Sequence, residues 1–242
     1  MNASVLIKTI KPKVLYLVWE DADRRRYKVG SFTETCFQYL HKEESFIKAQ
    51  EKGFKGFFSF PLTEEEISYP NPVPVFMRRL PPKNRQNYAE YLTAFGLDAE
   101  NPPESDFTLL GYTGAHLLDD PYHVLNTFEG IKTGFSFISK VSAAQQCFFS
   151  HNDEKSLNLA SNPYPTLILK PDPENPKDPN AIQIFIQLSE CLVPFGYVHK
   201  ELTLSIKTWQ NEGRRLEARL FRVNGQPNHR HAYASIHVTE PR

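Results

Sequence analysis

The chain has 242 residues, 40% hydrophobic and 13% aromatic, so it can bury the cores of one large or two ordinary domains and is not a disordered protein. Its 28 basic residues balance 28 acidic ones, so the net charge is zero and does not attract the whole molecule to DNA or to an acidic membrane. Any such binding patch must be local.

The cysteines and the first residues bear on the cellular compartment. The 3 cysteines are widely spaced without a CxxC pair, which predicts reduced, buried thiols in a cytoplasmic protein rather than a disulfide framework or a zinc site. The opening MNASVLIKTIKPK holds no apolar run long enough for a signal peptide, and no run of about 18 apolar residues occurs elsewhere. We therefore expect a soluble protein with no membrane partner.

The first half begins with short β-branched and aromatic runs separated by charged turns, as in a small antiparallel sheet. These runs are VLYLVW at 14–19, RYKVGSF at 26–32 and TCFQYL at 35–40. A helical spacing then extends from Asn84, a candidate N-cap, to Gly96, a candidate stop. A second short helix, SDFTLLGY, has Ser105 as its predicted cap.

The second half consists mainly of predicted strands. The proline-containing segment DDPYHVLNTFEG at 119–130 is the predicted linker, which divides the chain into domains 1–125 and 126–242. Strand-like runs follow at 166–170, 181–188, 191–198, 215–223 and 231–238, with one amphipathic helix at 200–213. The pattern predicts an α+β chain: a small antiparallel sheet with helices, then a small, partly closed β-barrel with one or two helices.

Signatures of catalysis are absent from the sequence. It contains no GxxxxGK[ST], GxGxxG, HExxH, GxSxG or HRD-like motif, so we expect a protein that is not an enzyme. Two groups of side chains superficially resemble metal ligands; they are His116, Asp119, Asp120 and His123, and His229, His231 and His237. Turns and polar strand faces commonly carry such residues, and we expect neither a metal nor a cofactor.

The stretch DPENPKDPN, within residues 169–185, places three prolines among polar residues between two apolar runs. Because proline fixes φ and lacks an N–H, this stretch can be neither a helix nor a central strand. Asn and Asp beside the prolines favour Asx turns, which predict a stiff loop held by its own side chains. Two interpretations stay open: a rigid connector, or a loop that presents Asn175, Lys177, Asp178 and Asn180 to a ligand.

Two motifs of the second half occur in the order typical of the HIRAN domain, which residues 131–241 resemble. PDPENPKDPNAIQIF is similar to that family's proline- and Asn-rich loop leading into an Asn-Ala-Ile strand, and FGYVHKEL is similar to its glycine-centred strand end entering a helix. HIRAN domains are similar in fold to OB-type barrels, and those that are understood bind single-stranded DNA, in some cases at a free 3′ end. The resemblance implies that the stiff loop is one wall of a nucleotide pocket.

The implied nucleic-acid site consists of Asn175, Lys177, Asp178, Asn180, Tyr197, His199 and Lys200. A strand terminus needs a phosphate partner, an acceptor for a sugar hydroxyl and flat surfaces for bases. Lys177 and Lys200 would supply charge, and Asp178 would accept from a terminal 3′-hydroxyl. The family often has an aromatic residue where this chain has Lys177, which exchanges a stacking platform for a phosphate contact. Phe148 and Phe149 are the candidate aromatic contributions.

The first half has a resemblance of its own, over residues 14–123. LYLVWEDADRRRYKVGSF, FFSFPLTEE, PVFMRRLPPKNRQNYAEYLTAFGLD and SDFTLLGYTGAH occur in order, and they are similar to the N-terminal subdomain of HipA-type serine/threonine kinase toxins. A HIRAN-like domain stands where the catalytic core of such a kinase would begin, so the resemblance implies no kinase activity.

The two resemblances together imply two functions. In the first, the chain is a non-catalytic binding protein: the HIRAN-like domain binds single-stranded DNA or DNA ends, and the HipA-like domain docks a protein partner. In the alternative, the chain is an antitoxin-like accessory subunit that restrains a HipA-type kinase, and the HIRAN-like domain contacts protein. The predicted partner surface is the basic turn with Arg78, Arg79, Lys83 and Arg85.

Overall fold

A computed structural model describes residues 6–117, 120–188 and 191–241. The chain forms two compact units: the N-terminal unit, Ile10–Ile131, and the C-terminal unit, which combines residues 6–9 with residues 132–241. Throughout these described ranges, no helix has both the length and the apolar composition needed to cross a membrane.

Over its described residues, the N-terminal unit combines a sheet with four short helices. Its strands are β1 (Leu15–Glu20), β2 (Arg26–Phe32), β3 (Cys36–Tyr39), β4 (Ser68–Pro70) and β5 (Tyr122–Leu125). Its helices are α1 (Glu44–Glu51), α2 (Val73–Met77), α3 (Tyr88–Thr93) and α4 (Asp106–Thr113). The strands form one antiparallel sheet in the order β4-β3-β2-β1-β5.

Phenylalanine rings fill the core of the N-terminal unit. Phe32 on β2 stacks on Phe76 of α2, with ring centroids 4.4 Å apart, and meets Phe107 of α4 edge-on at 5.7 Å. Phe57 stacks on Phe76 at 5.5 Å. Such pairs stabilise a fold by about 0.5–1.5 kcal/mol beyond the burial of their area. The aromatic residues of the first half therefore join its helices to its sheet.

The cap predicted for α4 is confirmed. Ser105 precedes the helix, and its Oγ accepts a hydrogen bond from the Thr108 N–H at 3.4 Å. Gly114, with φ of 73°, ends the helix. The helix predicted from Asn84 is shorter than expected, because the chain forms turns first: the Arg85 N–H donates to the Pro82 carbonyl oxygen.

The described part of the segment predicted as a linker, residues 120–130, lies within the N-terminal unit. Its residues 122–125 form β5, which pairs with β1 from Tyr16↔Leu125 to Trp19↔Tyr122. The next three residues, 126–128, are buried. A strand of four residues is too short to show a clear alternation of apolar and polar residues, so the sequence pattern did not indicate β5. The two units divide at 131/132, and the sequence predicts a division at 125/126.

The part of the C-terminal unit that the structure describes contains six strands and one helix of 12 residues. The strands are β6 (Phe135–Lys140), β7 (Thr166–Pro171), β8 (Ile182–Leu188), β9 (Cys191–Tyr197), β10 (Leu216–Asn224) and β11 (His231–Val238), and the helix is α5 (Lys200–Asn211). They form one antiparallel sheet in the order β6-β11-β10-β7-β8-β9. A π-helical turn at Gln145–Phe149 and a 3-10 turn at Glu154–Leu157 lie between β6 and β7.

A backbone bridge links the two ends of this sheet. Ser142, just beyond β6, and Tyr197, at the end of β9, exchange two backbone hydrogen bonds of 2.9 Å each. Gly196 permits this approach, because a Cβ there would lie 2.5 Å from Val141 Cγ1 and 2.6 Å from the Ser142 carbonyl oxygen. The glycine of FGYVHKEL is therefore a packing requirement of the fold.

The side chains of the sheet alternate between a buried and an outward face. On β11, Ala232, Ala234, Ile236 and Val238 are buried, as the sequence pattern predicts. Helix α5 contributes Trp209 to the core, where its ring meets Phe135 at 5.3 Å and Phe137 at 5.9 Å.

The cysteines differ in part from the prediction. Cys36 and Cys147 are half-buried, whereas Cys191, the first residue of the edge strand β9, is exposed. None of the three is in a disulfide. Burial raises the pKa of the Cys147 thiol, which disfavours the reactive thiolate.

Candidate functional site

The loop between β7 and β8 is closed at its base by backbone hydrogen bonds. The Asp172 N–H donates to the Ala181 carbonyl oxygen at 2.9 Å, and the Ala181 N–H donates to the Asp178 carbonyl oxygen at 2.9 Å. These backbone hydrogen bonds fix the two ends of the loop, and the prolines restrict the residues between them.

Asn175 organises the middle of this loop. Its Oδ1 accepts from the N–H groups of Lys177 at 3.0 Å and Asp178 at 3.3 Å, and its Nδ2 donates to Asp172 Oδ2 at 3.0 Å. This is the Asx-type arrangement expected from DPENPKDPN. The loop is held by its own side chains, and the hydrogen bonds of Asn175 fix the conformation of its backbone.

Tyr197 joins the loop to β9. Its hydroxyl donates to Asp172 Oδ2 at 3.2 Å, and burial together with this hydrogen bond raises the pKa of Tyr197. Asp172 thus accepts from both Tyr197 and Asn175, and the sequence reasoning did not name it. The signal was present, since Asp172 and Asp178 both occur as Asp-Pro within the same motif.

The far side of the loop contacts helix α5. The Asn180 N–H donates to Asp178 Oδ1 at 2.9 Å, and Lys207 Nζ of α5 donates to Asn180 Oδ1 at 2.8 Å. Lys207 was also not predicted, because its contact depends on where α5 packs. Asp178 is half-buried, while Lys177 between the Asx residues is exposed.

His199 and Lys200 lie where β9 enters α5. The Val198 N–H donates to the Ile182 carbonyl oxygen at 2.9 Å, which brings this strand end beside the exit of the loop. His199 is half-buried, with Nδ1 3.2 Å from Glu201 Oε2, and Lys200 is the exposed first residue of α5. The structure thus places both predicted motifs at one end of the C-terminal unit.

The two candidate aromatic residues differ. Phe148 is fully buried and packs on Phe195 at 5.0 Å, so it cannot stack on a base, and this candidate is corrected. It belongs to the core because the π-helical turn directs it inward. Phe149 is half-buried and meets Phe195 at 5.9 Å.

The basic turn of the N-terminal unit is only partly exposed. Arg79, which was expected on its surface, is 6% exposed and makes two hydrogen bonds of 2.6 and 2.8 Å to Asp120. Lys83 pairs with Asp106 at 2.7 Å. Arg78 and Arg85 are exposed. The sequence could not separate Arg79 from its neighbours, since its partner lies 41 residues away.

The described residues contain no group of three or more His, Cys, Asp or Glu side chains that could hold a metal ion. The rings of His116 and His123 are 6.2 Å apart, and Asp120 is engaged by Arg79. Asp119, the fourth member of that predicted group, lies outside the described residues.

No protein-family model matches the chain. No curated protein matches it either. Among solved structures, the chain is similar to the HIRAN domain of human HLTF, with 20% identity and a TM-score of 0.29 over 43% of this chain and 74% of that one. An alignment this loose assigns neither fold nor function, so the interpretation of the site depends on the residues described above.

Proposed function

We propose that the chain is a non-catalytic binding protein whose C-terminal unit binds single-stranded DNA and holds the 3′ end beside the loop at 172–181. The observation that carries this proposal is the hydrogen-bonded loop itself. A connector needs only to join two strands, whereas this loop is stiffened by Asp172, Asn175 and Tyr197 and presents Lys177 outward. A rigid site loses less conformational entropy when a ligand binds.

The chemistry of the loop suits a strand terminus. Asp178 uses Oδ1 for the Asn180 N–H, and its second oxygen makes no hydrogen bond to any residue that the structure describes. That oxygen is the proposed acceptor for a 3′-hydroxyl. Lys177 and Lys200 are the proposed phosphate partners, because each is an exposed cation at this end of the unit.

Fluorescence anisotropy with short oligonucleotides tests this proposal. An oligonucleotide ending in a 3′-hydroxyl should bind more tightly than one ending in a 3′-phosphate, since a carboxylate accepts from the hydroxyl and repels the added charge. Asp178→Asn should reduce that preference. Lys200→Ala should lower the salt slope by about 0.7, the increment for one phosphate of a single strand.

Lys52→Ala is a charge-matched control, because Lys52 is an exposed lysine of the N-terminal unit. It should leave both the end preference and the salt slope unchanged. Equal affinity for the two ends in the wild-type protein would overturn the assignment of the 3′ end, and the loop would then be a connector.

A second proposal concerns the N-terminal unit, which we infer to dock a protein partner; a HipA-type kinase core is the candidate. The exposed side chains of Arg78 and Arg85 favour the basic turn as the contact. Co-expression with such a core should give a stable complex, and Arg78→Glu with Arg85→Glu should weaken it. Failure of the wild-type chain to co-purify would remove this proposal.

A further inference from the structure

The outward face of the C-terminal sheet gathers residues that are far apart in the sequence. Side chains of directly opposite residues in an antiparallel pair lie on the same face of the sheet. Tyr233 of β11 lies opposite Lys140 of β6 and opposite Arg222 of β10, and Arg219 of β10 lies opposite Thr166 of β7. These residues therefore share the face opposite the buried core.

All the Lys and Arg residues of the six strands lie on this outward face. They are Lys140, Lys170, Arg219 and Arg222, and we call them the basic face. Lys170 belongs to it because Thr166, Ile168 and Lys170 occupy every second position of β7 and therefore share one face. Glu217 is the one acidic residue within the same strand ranges, so the strands carry a net charge of 4 − 1 = +3 in a chain with no net charge.

Aromatic rings hold two of these cations in place. Arg222 Cζ lies 4.3 Å from the centroid of the Tyr233 ring, and Lys170 Nζ lies 5.1 Å from that of Phe185. A cation held on a ring has already lost much of its rotamer freedom, so it loses less conformational entropy when it binds a phosphate. The pKa of His231, at one end of this face, is lowered by burial and then by the positive charge of Lys140.

A groove opens beside Arg219, where β7 and β10 separate. The two strands are in register only at Ala218↔Leu167 and Arg219↔Thr166. Beyond these pairs lies a groove of about 590 Å³, lined by residues 166–169 of β7, by residues 216–219 of β10, by Gln210 at the end of α5 and by Arg214 just beyond it. Ligand sites span about 300–1,000 Å³, so this groove has room for an unstacked base next to the cations.

We infer that the basic face, together with this groove, binds the phosphate backbone of single-stranded nucleic acid beyond the terminal nucleotides. The inference rests on the proposed function, which accounts only for the strand end. Neighbouring strands lie about 4.8 Å apart, so Lys140 and Arg222, separated by β11, start from backbones roughly 10 Å apart. Several cations at such spacing, interleaved with aromatic rings, suit a charged chain with flat bases better than an acidic peptide.

The test compares the double variant Lys140→Glu and Arg219→Glu with the wild-type protein on oligo-dT of about 20 and about 4 nucleotides. Both substituted side chains are exposed, so the variant should fold, and its thermal unfolding checks this. It should lower the salt slope for the longer strand by roughly 1.4, two single-strand increments of about 0.7, and should leave binding of the shorter strand unchanged. Lys52→Glu with Lys55→Glu makes the same change of charge on the N-terminal unit and should have no effect.

The outcomes separate this inference from the proposed function. An unchanged slope for the longer strand overturns the inference, while a persisting 3′-hydroxyl preference keeps the function. A reduced slope without any end preference supports the inference and overturns the 3′-end assignment. A wild-type protein that binds polyglutamate but neither strand overturns both.

Discussion

Arg79 connects two distant parts of the N-terminal unit. It follows α2 in the chain, and its guanidinium donates to Asp120 and to the carbonyl oxygens of Ala115 and Tyr122. All of these partners lie around the start of β5. A buried cation with this many partners determines where the edge strand of the sheet can lie.

Replacement of Arg79 by Ala should lower the free energy of unfolding by roughly 3–5 kcal/mol, because Asp120 would lose its cationic partner and the carbonyl oxygens of Ala115 and Tyr122 would lose a donor. Urea titration followed by tryptophan fluorescence measures this. Arg78→Ala is the neighbouring control, and since that side chain is exposed it should change stability by about 0.5 kcal/mol or less. Equal effects of the two substitutions would contradict the structural role of Arg79.

Asp120 should also make stability depend on pH. Burial alone would raise its pKa, but the Arg79 guanidinium and the Tyr122 N–H outweigh burial and hold the pKa below its usual value. A depressed folded-state pKa stabilises the fold above the unfolded-state pKa, and this contribution is lost as the pH falls through the folded-state pKa. Asp120→Asn should therefore flatten the acid limb of a plot of unfolding free energy against pH. An unaltered acid limb would count against the pair.

Gly196→Ala should destabilise the C-terminal unit by about 1–3 kcal/mol, because its Cβ would collide with Val141 and with the Ser142 carbonyl oxygen. Gly134→Ala is a matched control, since a Cβ there meets nothing closer than 3.4 Å. Thermal unfolding should show a lower midpoint for the first variant only. Comparable midpoints would mean that the bridge tolerates a wider spacing.

At the scale of one element, the loop between β7 and β8 depends on the Asn175 side chain. Asn175→Ala removes the acceptor for the amides of Lys177 and Asp178, and a hydrogen bond of this kind is worth about 1 kcal/mol. Hydrogen exchange of those two amides should accelerate roughly fivefold. Glu174→Ala, in the same loop, should leave them unchanged, because that side chain is exposed. Equal protection in both variants would show that the prolines alone stiffen the loop.

At the scale of the whole molecule, the end of the N-terminal unit can be tested with fragments. Residues 126–131 extend beyond β5, and Phe128 packs edge-on against Tyr112 at 5.7 Å. A fragment of residues 10–131 should therefore unfold cooperatively and at a higher temperature than a fragment of residues 10–125. Calorimetry of the two fragments measures the difference. Identical midpoints would favour the boundary predicted from the sequence.

The C-terminal unit contains a segment that no local pattern could assign to it. The Ser136 N–H of β6 donates to the carbonyl oxygen of Lys8. Residues 6–9 therefore belong to the C-terminal unit, although they precede the N-terminal unit in the sequence. Every residue except proline has the same backbone N–H and C=O groups, so the residue types around positions 8 and 136 do not indicate this contact.

Features that depend on short-range chemistry could be predicted from the sequence. Ser105 caps α4, the alternation on β11 divides buried from outward residues, and Asn and Asp among prolines stiffen the loop at 172–181. In each case the interacting groups lie within a few residues, so spacing and residue type suffice to predict the structure.

Which charged and aromatic residues are available to a ligand depends on how distant segments of the chain pack together. Arg79 and Phe148 were candidates by type, yet both are buried, whereas Asp172 and Lys207 hold the loop without having been predicted. The basic face likewise exists only because β6, β7, β10 and β11 become neighbours in the sheet. Burial and cross-strand register depend on contacts between distant segments, and those contacts are absent from any local pattern.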